Sequence, residues 1–378
     1  MTSLKTHSKI ILSVLHGIFL FAGIWMLTNS TYTSSADEAI LRQVNILEEH
    51  LFSSKTGYPH DFVFVNVSRD QKLMADPAEY GETAITDRVK LAKFFKILAD
   101  NGNRHYFALC DIFFENPSDD DTALALQAQR CKKIIFPYHI TADTIEHPCI
   151  DVPVGLSDFV TYTGNFSKFK LLYKDSLKTT PLLLLEKLDQ KKYPGSFLDF
   201  KSVFPRYYIQ GADLLTEKKY PYFNLGELLM LSDTDSFYHQ FLEDKFIVIG
   251  NFETDVHFSP VGKIPGPLIL LNTYLTIRNG SAVSAWWALF FLASLSLVSY
   301  ILFFKKIKAP DIRKRPWVDL LLQVFINKYI SFSGICLLMV IISALAFSVQ
   351  LNISLLLAYL LVVNFFKEFY KKHYKKEA

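Results

Sequence analysis

The residues best suited to chemistry in this sequence lie in two short stretches, Asp255-Val256-His257 and Cys110-Asp111-Ile112. A carboxylate and an imidazole two residues apart on an extended segment point to the same side. With Asp111 close by they would make an acid and base pair, or part of a metal site. The plainer alternative is that Asp255 caps the turn and His257 packs under the loop that sets Pro260. Arg88 with Asp111 reads as a buried pair fixing a helix to a strand, and Asn251 and Asp70, just beyond strand ends, are weaker candidates for lining a pocket. Asp119-Asp120-Asp121 lacks calcium-loop spacing and its terminal Glu, so these carboxylates are expected to cap a helix start. The sequence has no G-x-S-x-G, H-E-x-x-H, C-x-x-C or P-loop. No catalytic residue, metal or cofactor is therefore assigned, and the chain is read as not an enzyme. An extracytoplasmic hydrolase would be revived if Asp111, Asp255 and His257 converged within hydrogen-bond reach in a pocket.

These residues need a scaffold, and the pattern predicts an α/β one. Residues 61–67 are β-branched, aromatic and bounded by Pro59 and Ser68, which marks a buried strand. Thr86 or Asp87 caps a helix with Val89, Leu91, Ala92, Phe95 and Leu98 on one side, ending at Gly102. The apolar run 106–114 completes a β-α-β unit, so neighbouring strands should be parallel with the helix on one face. A further helix starts near Asn116, strands follow at 134–138 and 245–250, and a hairpin is expected around Gly164-Asn165. Residues 36–51 and 181–188 have helical spacing, Asn224 to Glu227 resembles a helix start, and residues 268–277 form the last helix of this region. A strand ending at Gly250 delivers its loop to the carboxyl edge of the sheet, where open α/β sheets bind ligands. The expected architecture is a mixed, mainly parallel sheet with flanking helices, joined to a four-helix transmembrane region.

Crossing a hydrocarbon core about 30 Å thick takes roughly 20 apolar residues of helix. Residues 10–28, 283–304, 329–348 and 349–366 supply such runs, the last two joined by the polar turn Ser348-Val349-Gln350-Leu351-Asn352. Lys/Arg excess marks cytoplasmic flanks, which puts residues 1–9, the basic loop 305–328 and the basic tail 367–378 inside, and 29–282 outside. The first run is expected to be an uncleaved anchor, although Ser34-Ser35-Ala36 offers a small-residue cleavage site. Trp286 and Trp287 suit interfacial anchoring, and residues 317–326 suit the cytoplasmic interface. His16, in mid-span, is expected to hydrogen-bond Ser294, Ser296 or Asn364 on another helix. Residues 29–282 hold 26 Lys+Arg against 33 Asp+Glu, net −7, while the remainder is +10, an asymmetry hidden in the overall +3. An acidic external region argues against a nucleic-acid partner. Of the four cysteines, Cys336 lies in a span, Cys110 reads as a small core residue, and whether Cys131 and Cys149 pair in an oxidising compartment is left open by the sequence.

Residues 30–282 resemble the CHASE2 family of extracytoplasmic sensor domains. The resemblance rests on Cys110-Asp111-Ile112-Phe113-Phe114 with Asp121 and Leu124, on Arg88 opening the first helix, and on Ile249-Gly250, Asp255-x-His257-x-x-Pro260 and Pro265-Gly266. It implies one membrane span before the domain and three after it, in a bacterial cytoplasmic membrane. Where the family's first strand ends in an acid, this chain has Ser68. Many relatives continue into a kinase or cyclase; here the sequence runs twelve residues past Phe366. The expected function is that of a sensor: the external domain recognises an unidentified ligand or partner through Arg88, Asp111, Asp255, His257, Ser68 and Asn251. It would signal through four helices to a separate protein. The expected partners are thus the lipid bilayer, that ligand and that protein, with self-association into a homo-oligomer left open. The alternative is a structural or docking subunit of a cell-envelope complex.

Overall fold

Apolar runs of two lengths, about five residues and about twenty, alternate with capped amphipathic segments, and they sort the chain into two kinds of structure. The computed structural model describes residues 6–52, 61–75, 82–141, 144–159, 164–174, 176–193, 198–232, 235–280, 283–304 and 330–374. In chain order the main helices are α1 (Thr6–Asn29), α2 (Ser35–Phe52), α3 (Arg88–Asp100), α4 (Asp121–Arg130), α5 (Thr180–Leu188), α6 (Gly211–Leu215), α7 (Leu225–Leu231), α8 (Asp235–Phe241), α9 (Gly266–Arg278), α10 (Ala285–Phe304), α11 (Ile330–Phe347) and α12 (Ser354–Tyr374). The strands that matter below are β1 (Phe62–Asn66), β2 (Gln71–Ala75), β3 (Glu82–Thr86), β4 (Phe107–Asp111), β5 (Ile134–Thr141), β6 (Thr144–Glu146), β7 (Val154–Leu156), β8 (Tyr222–Asn224), β9 (Phe246–Gly250), β10 (Val256–Ser259) and β11 (Gly262–Pro265). Contacts divide the chain into an α/β unit, residues 49–192 and 205–279, and a helical unit, residues 1–48, 193–204 and 280–378.

In the α/β unit the main sheet runs β8-β1-β9-β4-β5-β6, with β7 also on β5. Every pairing in it is parallel except β5 with β6. Crossover helices cover both faces of such a sheet, which is why β1, β4 and β9 are almost wholly buried rather than alternating. The register aligns Asn66, Gly250 and Asp111 side by side at the carboxyl ends of β1, β9 and β4. Asp87 caps α3 by accepting from Lys90 N at 3.1 Å, as its position before the apolar run requires. Leu91, Phe94, Phe95 and Leu98 then pack beneath it with Val63, Cys110 and Phe136, whereas Val89, expected on that face, is exposed. A capping box of Asn224 and Glu227 opens α7. The first arm of the hairpin expected around Gly164-Asn165, residues 160–163, lies outside the described residues; further on, Leu172–Tyr173 and Leu177–Lys178 form a short antiparallel pair.

The helical unit is built inside out. Its core mixes Trp287, Phe291, Leu295 and Leu302 with Cys336, Met339, Ala344, Leu356 and Leu360 from α10, α11 and α12, and with Leu20 and Ile24 from α1. The buried seams also contain small and polar groups: Ser13, Ser299, Ser343 and Asn364 are each under 5 % exposed. Large apolar side chains face outward instead, among them Ile11, Leu15, Phe19, Met26, Leu289, Leu297, Val362 and Phe366. Among the described residues α1 and α10 are long and apolar enough to cross a membrane, and α11 and α12 carry shorter apolar stretches, Gly334–Phe347 and Ser354–Lys367. Residue 329, where the third span was expected to begin, and the basic loop 305–328, with residues 317–326, lie outside the described residues.

Several expectations for this unit are corrected. Trp287 is an interior residue: it stacks on Phe291 and donates to Ser343 Oγ at 2.6 Å, leaving Trp286 as the exposed member of the pair. His16 reaches Ser299 Oγ at 2.8 Å and Tyr359 OH at 3.0 Å rather than Ser294, Ser296 or Asn364. Ser299 already donates to Leu295 O, so His16 Nδ1 is the donor to Ser299 and Tyr359 donates to the bare Nε2. The polar turn between α11 and α12 exists, with Ser348 left-handed at φ 59°, but Gln350 and Asn352 are buried. Helix α12 runs on to Tyr374, through part of the expected tail.

Candidate functional site

Three of the six predicted site residues meet at the carboxyl edge of the sheet. Asp111 ends β4, and β10 with β11 forms a hairpin that carries Asp255 and His257. As the extended spacing requires, those two side chains share a face, with His257 Nε2 at 2.9 Å from Asp255 Oδ1. Two glycines permit the approach of α9 to this edge. A Cβ at Gly250 would strike the Pro267 ring, and one at Gly266 would strike the Asp255 carboxylate. Gly266 N donates to Asp255 O at 2.9 Å, so the hairpin is bonded to the first turn of α9.

The same edge gathers two residues absent from the predicted set. His139, near the end of β5, places Nδ1 at 2.6 Å from Asp158 Oδ1. Phe113 stands edge-on to the His139 ring at 4.6 Å, and Phe159 edge-on to the His257 ring at 4.7 Å. The available signal was position: His139 follows a buried strand beside the one ending in Asp111, and ligands collect at such ends.

Among the described residues no side chain hydrogen-bonds the Asp111 carboxyl. Burial pushes its pKa up to about 7, the nearby Asp255 charge pushes in the same direction, and His139 and His257 pull against them. Burial alone would lower the His139 pKa, but the hydrogen bond and charge of Asp158, with Asp111 and Glu146, outweigh it and the pKa is raised. Each imidazole thus has one nitrogen tied to its own carboxylate. In the neutral ring the tied nitrogen holds the proton and the other is a bare acceptor. The group can exchange protons near neutrality and meet a polar ligand as donor or acceptor. Among the described residues no group of three or more His, Cys, Asp or Glu side chains is placed to hold a metal ion.

Ser68 and Asn251 belong to a different network across β1, β8 and β9. Asn66, fully buried, donates from Nδ2 to Asn224 Oδ1 at 3.0 Å and Glu253 Oε1 at 3.1 Å, and accepts from Ser68 N and Phe252 N. The Ser68 hydroxyl lies within reach of Asn66 Oδ1 and, at 2.7 Å, of Asn251 Oδ1. Asn251 Oδ1 also accepts from Glu253 N and Thr254 N. These amides are saturated, which makes them a brace for the loops. Asp70 is likewise engaged, accepting from Lys90 Nζ at 2.6 Å and from Gly226 N at 3.1 Å at the start of α7.

Arg88 does not pair with Asp111. Its terminal nitrogens go to Asp121 Oδ1 and Asn116 O, and its guanidinium lies 5.2 Å from the centre of the Phe114 ring. It joins the starts of α3 and α4, a structural task. Capping at α4 also differs from expectation: Asp120 is the N-cap without a side-chain bond and pairs with Lys72, while Asp121 accepts from Ser118 N at 2.8 Å. All four cysteines are free thiols, so Cys131 and Cys149 are not joined. Cys131 is buried 3.7 Å from His105 Nε2, whereas Cys149 is exposed beside Asp121. No family model, curated protein or solved structure matches this chain.

Proposed function

We propose that this chain is a sensor-like integral membrane protein in which α1, α10, α11 and α12 form four transmembrane helices. Its α/β unit recognises a ligand or partner outside the cytoplasm. The membrane half of the reading is supported by the inverted helical unit, since rows of exposed Leu, Ile and Phe over a seam of serines are stable in lipid and not in water. The lysine and arginine excess at 305–328 and 367–376 orients it, with both clusters on the cytoplasmic side of a bacterial cytoplasmic membrane. The CHASE2-like residues at 110–114 and 249–266 support the sensor half. In this reading the domain's change of state passes along the helices to a protein partner, and anionic lipid holds the basic clusters.

The single observation that carries recognition is Asp111, a carboxyl without a side-chain hydrogen bond at the carboxyl edge, in the field of two carboxylate-bound imidazoles. Asp111 is only partly buried, so its carboxyl is both perturbed by its surroundings and within reach of a ligand. The test is thermal unfolding of the full chain in lipid nanodiscs against a panel of small polar solutes. A solute that raises the melting point of the wild type and not of Asp111→Asn supports the reading. If every stabilising solute acts equally on both proteins, recognition lies elsewhere. A docking role is favoured by one feature, Met230 near the end of α7, which is 81 % exposed. Stabilisation by a protein partner alone, lost in Met230→Ser, would select it.

A further inference from the structure

The Asp111 cluster contacts α9, the helix that precedes α10 in the chain. Asp255 touches α9 twice, through its backbone oxygen on Gly266 N and through its carboxylate packed against the Gly266 Cα. Helix α9 ends at Arg278, and α10, the next helix in the chain, begins at Ala285. Pro267, in the first turn of α9, rests on Gly250, the immediate neighbour of Asp111 in the sheet. A change in charge at Asp111 therefore acts on the hairpin and on the start of α9 together.

The groups facing Asp111 come from every side of this edge. Asp255 and His257 lie on the hairpin β10–β11, His139 is on β5 with Asp158 behind it, and Glu146 on β6 adds to the field at His139. Asp111 and His139 act on each other, each shifting the other's proton affinity, so the response at this edge is not that of an isolated carboxyl. Protonated, Asp111 is a neutral neighbour of Asp255. Ionised, it is a second negative charge beside it.

We propose that this cluster reads protons: Asp111, which accepts no side-chain hydrogen bond and lies beside Gly250, on which Pro267 of α9 rests, exchanges its proton with the medium, and its charge, felt by Asp255, sets how firmly the Asp255 hairpin holds the start of α9. The acid form is the tight one, because repulsion between Asp111 and Asp255 is then absent. The proposal deepens the sensor reading by naming the proton as a stimulus, and it rests on that reading for the side of the membrane being sensed.

The test is hydrogen exchange of the full chain in nanodiscs between about pH 5.5 and 8.5, with exchange times scaled for the intrinsic pH dependence of amide exchange. Peptides covering 251–268 in the wild type are expected to lose protection about tenfold on the alkaline side, with a midpoint near the Asp111 value of about 7. Asp111→Asn is expected to be flat. His139→Gln removes a group that favours the Asp111 anion, so its midpoint should move upward by about half a pH unit or more. This second variant keeps the test alive should Asp111→Asn fail to fold. A flat wild-type profile, a midpoint retained in Asp111→Asn, or one unmoved in His139→Gln overturns the proposal. Sidedness is measured separately by labelling: a normal proton response in a domain found on the cytoplasmic side would sink the sensor reading alone. A flat response in an external domain would sink the proton proposal alone.

Discussion

Arg88 and Asp111 are both charged residues drawn into the α/β unit, and the unit treats them in opposite ways. Both terminal nitrogens of Arg88 are paired, with Asp121 and the Asn116 carbonyl, and its guanidinium lies on the Phe114 ring, while its Nε is buried without a partner. Around Asp111 the neighbours are close enough to perturb it, yet none of the described side chains bonds to it. Paired charge holds elements together, and open charge waits for a proton or a ligand. The same contrast recurs along the sheet edge, where the Asn66, Ser68 and Asn251 network is complete one strand away from the incomplete Asp111 cluster.

Breaking the paired side should have the larger effects. Arg88→Ala strands Asp121 and the Asn116 carbonyl, and is expected to cost about 4 kcal/mol in thermal or chemical unfolding of the full chain. A loss under about 1 kcal/mol would mean that the pair is not a brace. The helical unit has its own saturated carboxylate in Asp37, which is 1 % exposed. It accepts from Ser34 Oγ at 2.8 Å at the start of α2, and from Ile353 N at 2.9 Å and Ser354 N at 3.0 Å at the start of α12. One side chain thus caps two helices, and Asp37→Ala should cost about 3 kcal/mol. Asp37→Asn should recover part of that loss, a gradation that thermal unfolding in detergent can resolve.

The open side should respond with the opposite sign. The Asp111 pKa is raised from the ordinary 3.8 to about 7, so between these values the unfolded chain releases a proton that the folded chain keeps. Stability therefore falls as pH rises from about 4 to about 7 and is level beyond. Asp111→Asn removes that slope. It is expected to be more stable than the wild type by about 2 kcal/mol at pH 8, after allowing for solvent screening, and no more stable at pH 4. A destabilised Asp111→Asn at pH 8 would mean that the carboxylate has a partner after all. The smallest expected effect is that of Ser68→Ala, about 1 kcal/mol at every pH. A pH-dependent loss there would join the two clusters that the structure keeps apart.

Much of the fold was legible in the sequence because burial writes itself into short apolar runs. The strands at 62–66, 107–111 and 246–250, the Asp87 cap and the start of α7 at Asn224 follow from local pattern. The site was legible in part. Asp255 and His257 share a face because two residues of extended chain put them there, and Asp111 joins them because parallel strands align their carboxyl ends. Partner choice across the chain was not legible. Nothing local tells Arg88 to take Asp121 rather than Asp111, or His16 to take Ser299 and Tyr359. His139 is separated from Asp111 in the chain and meets it only through sheet order. The double role of Asp37 had a local half, the Ser34-x-x-Asp37 spacing of a capping box. Its other half, at Ile353, lies more than 300 residues away in the chain.

Sensing across a bilayer, as proposed, requires the α/β unit and the chain's basic end to lie on opposite sides of it. Cysteines placed at Lys174 and Lys372, in a background with the exposed Cys149 replaced by Ser, can be labelled in intact cells with a membrane-impermeant maleimide. The expected result is that the cysteine at 174 reacts from outside while the one at 372 reacts only after permeabilisation. Reaction of both from the same side would contradict it.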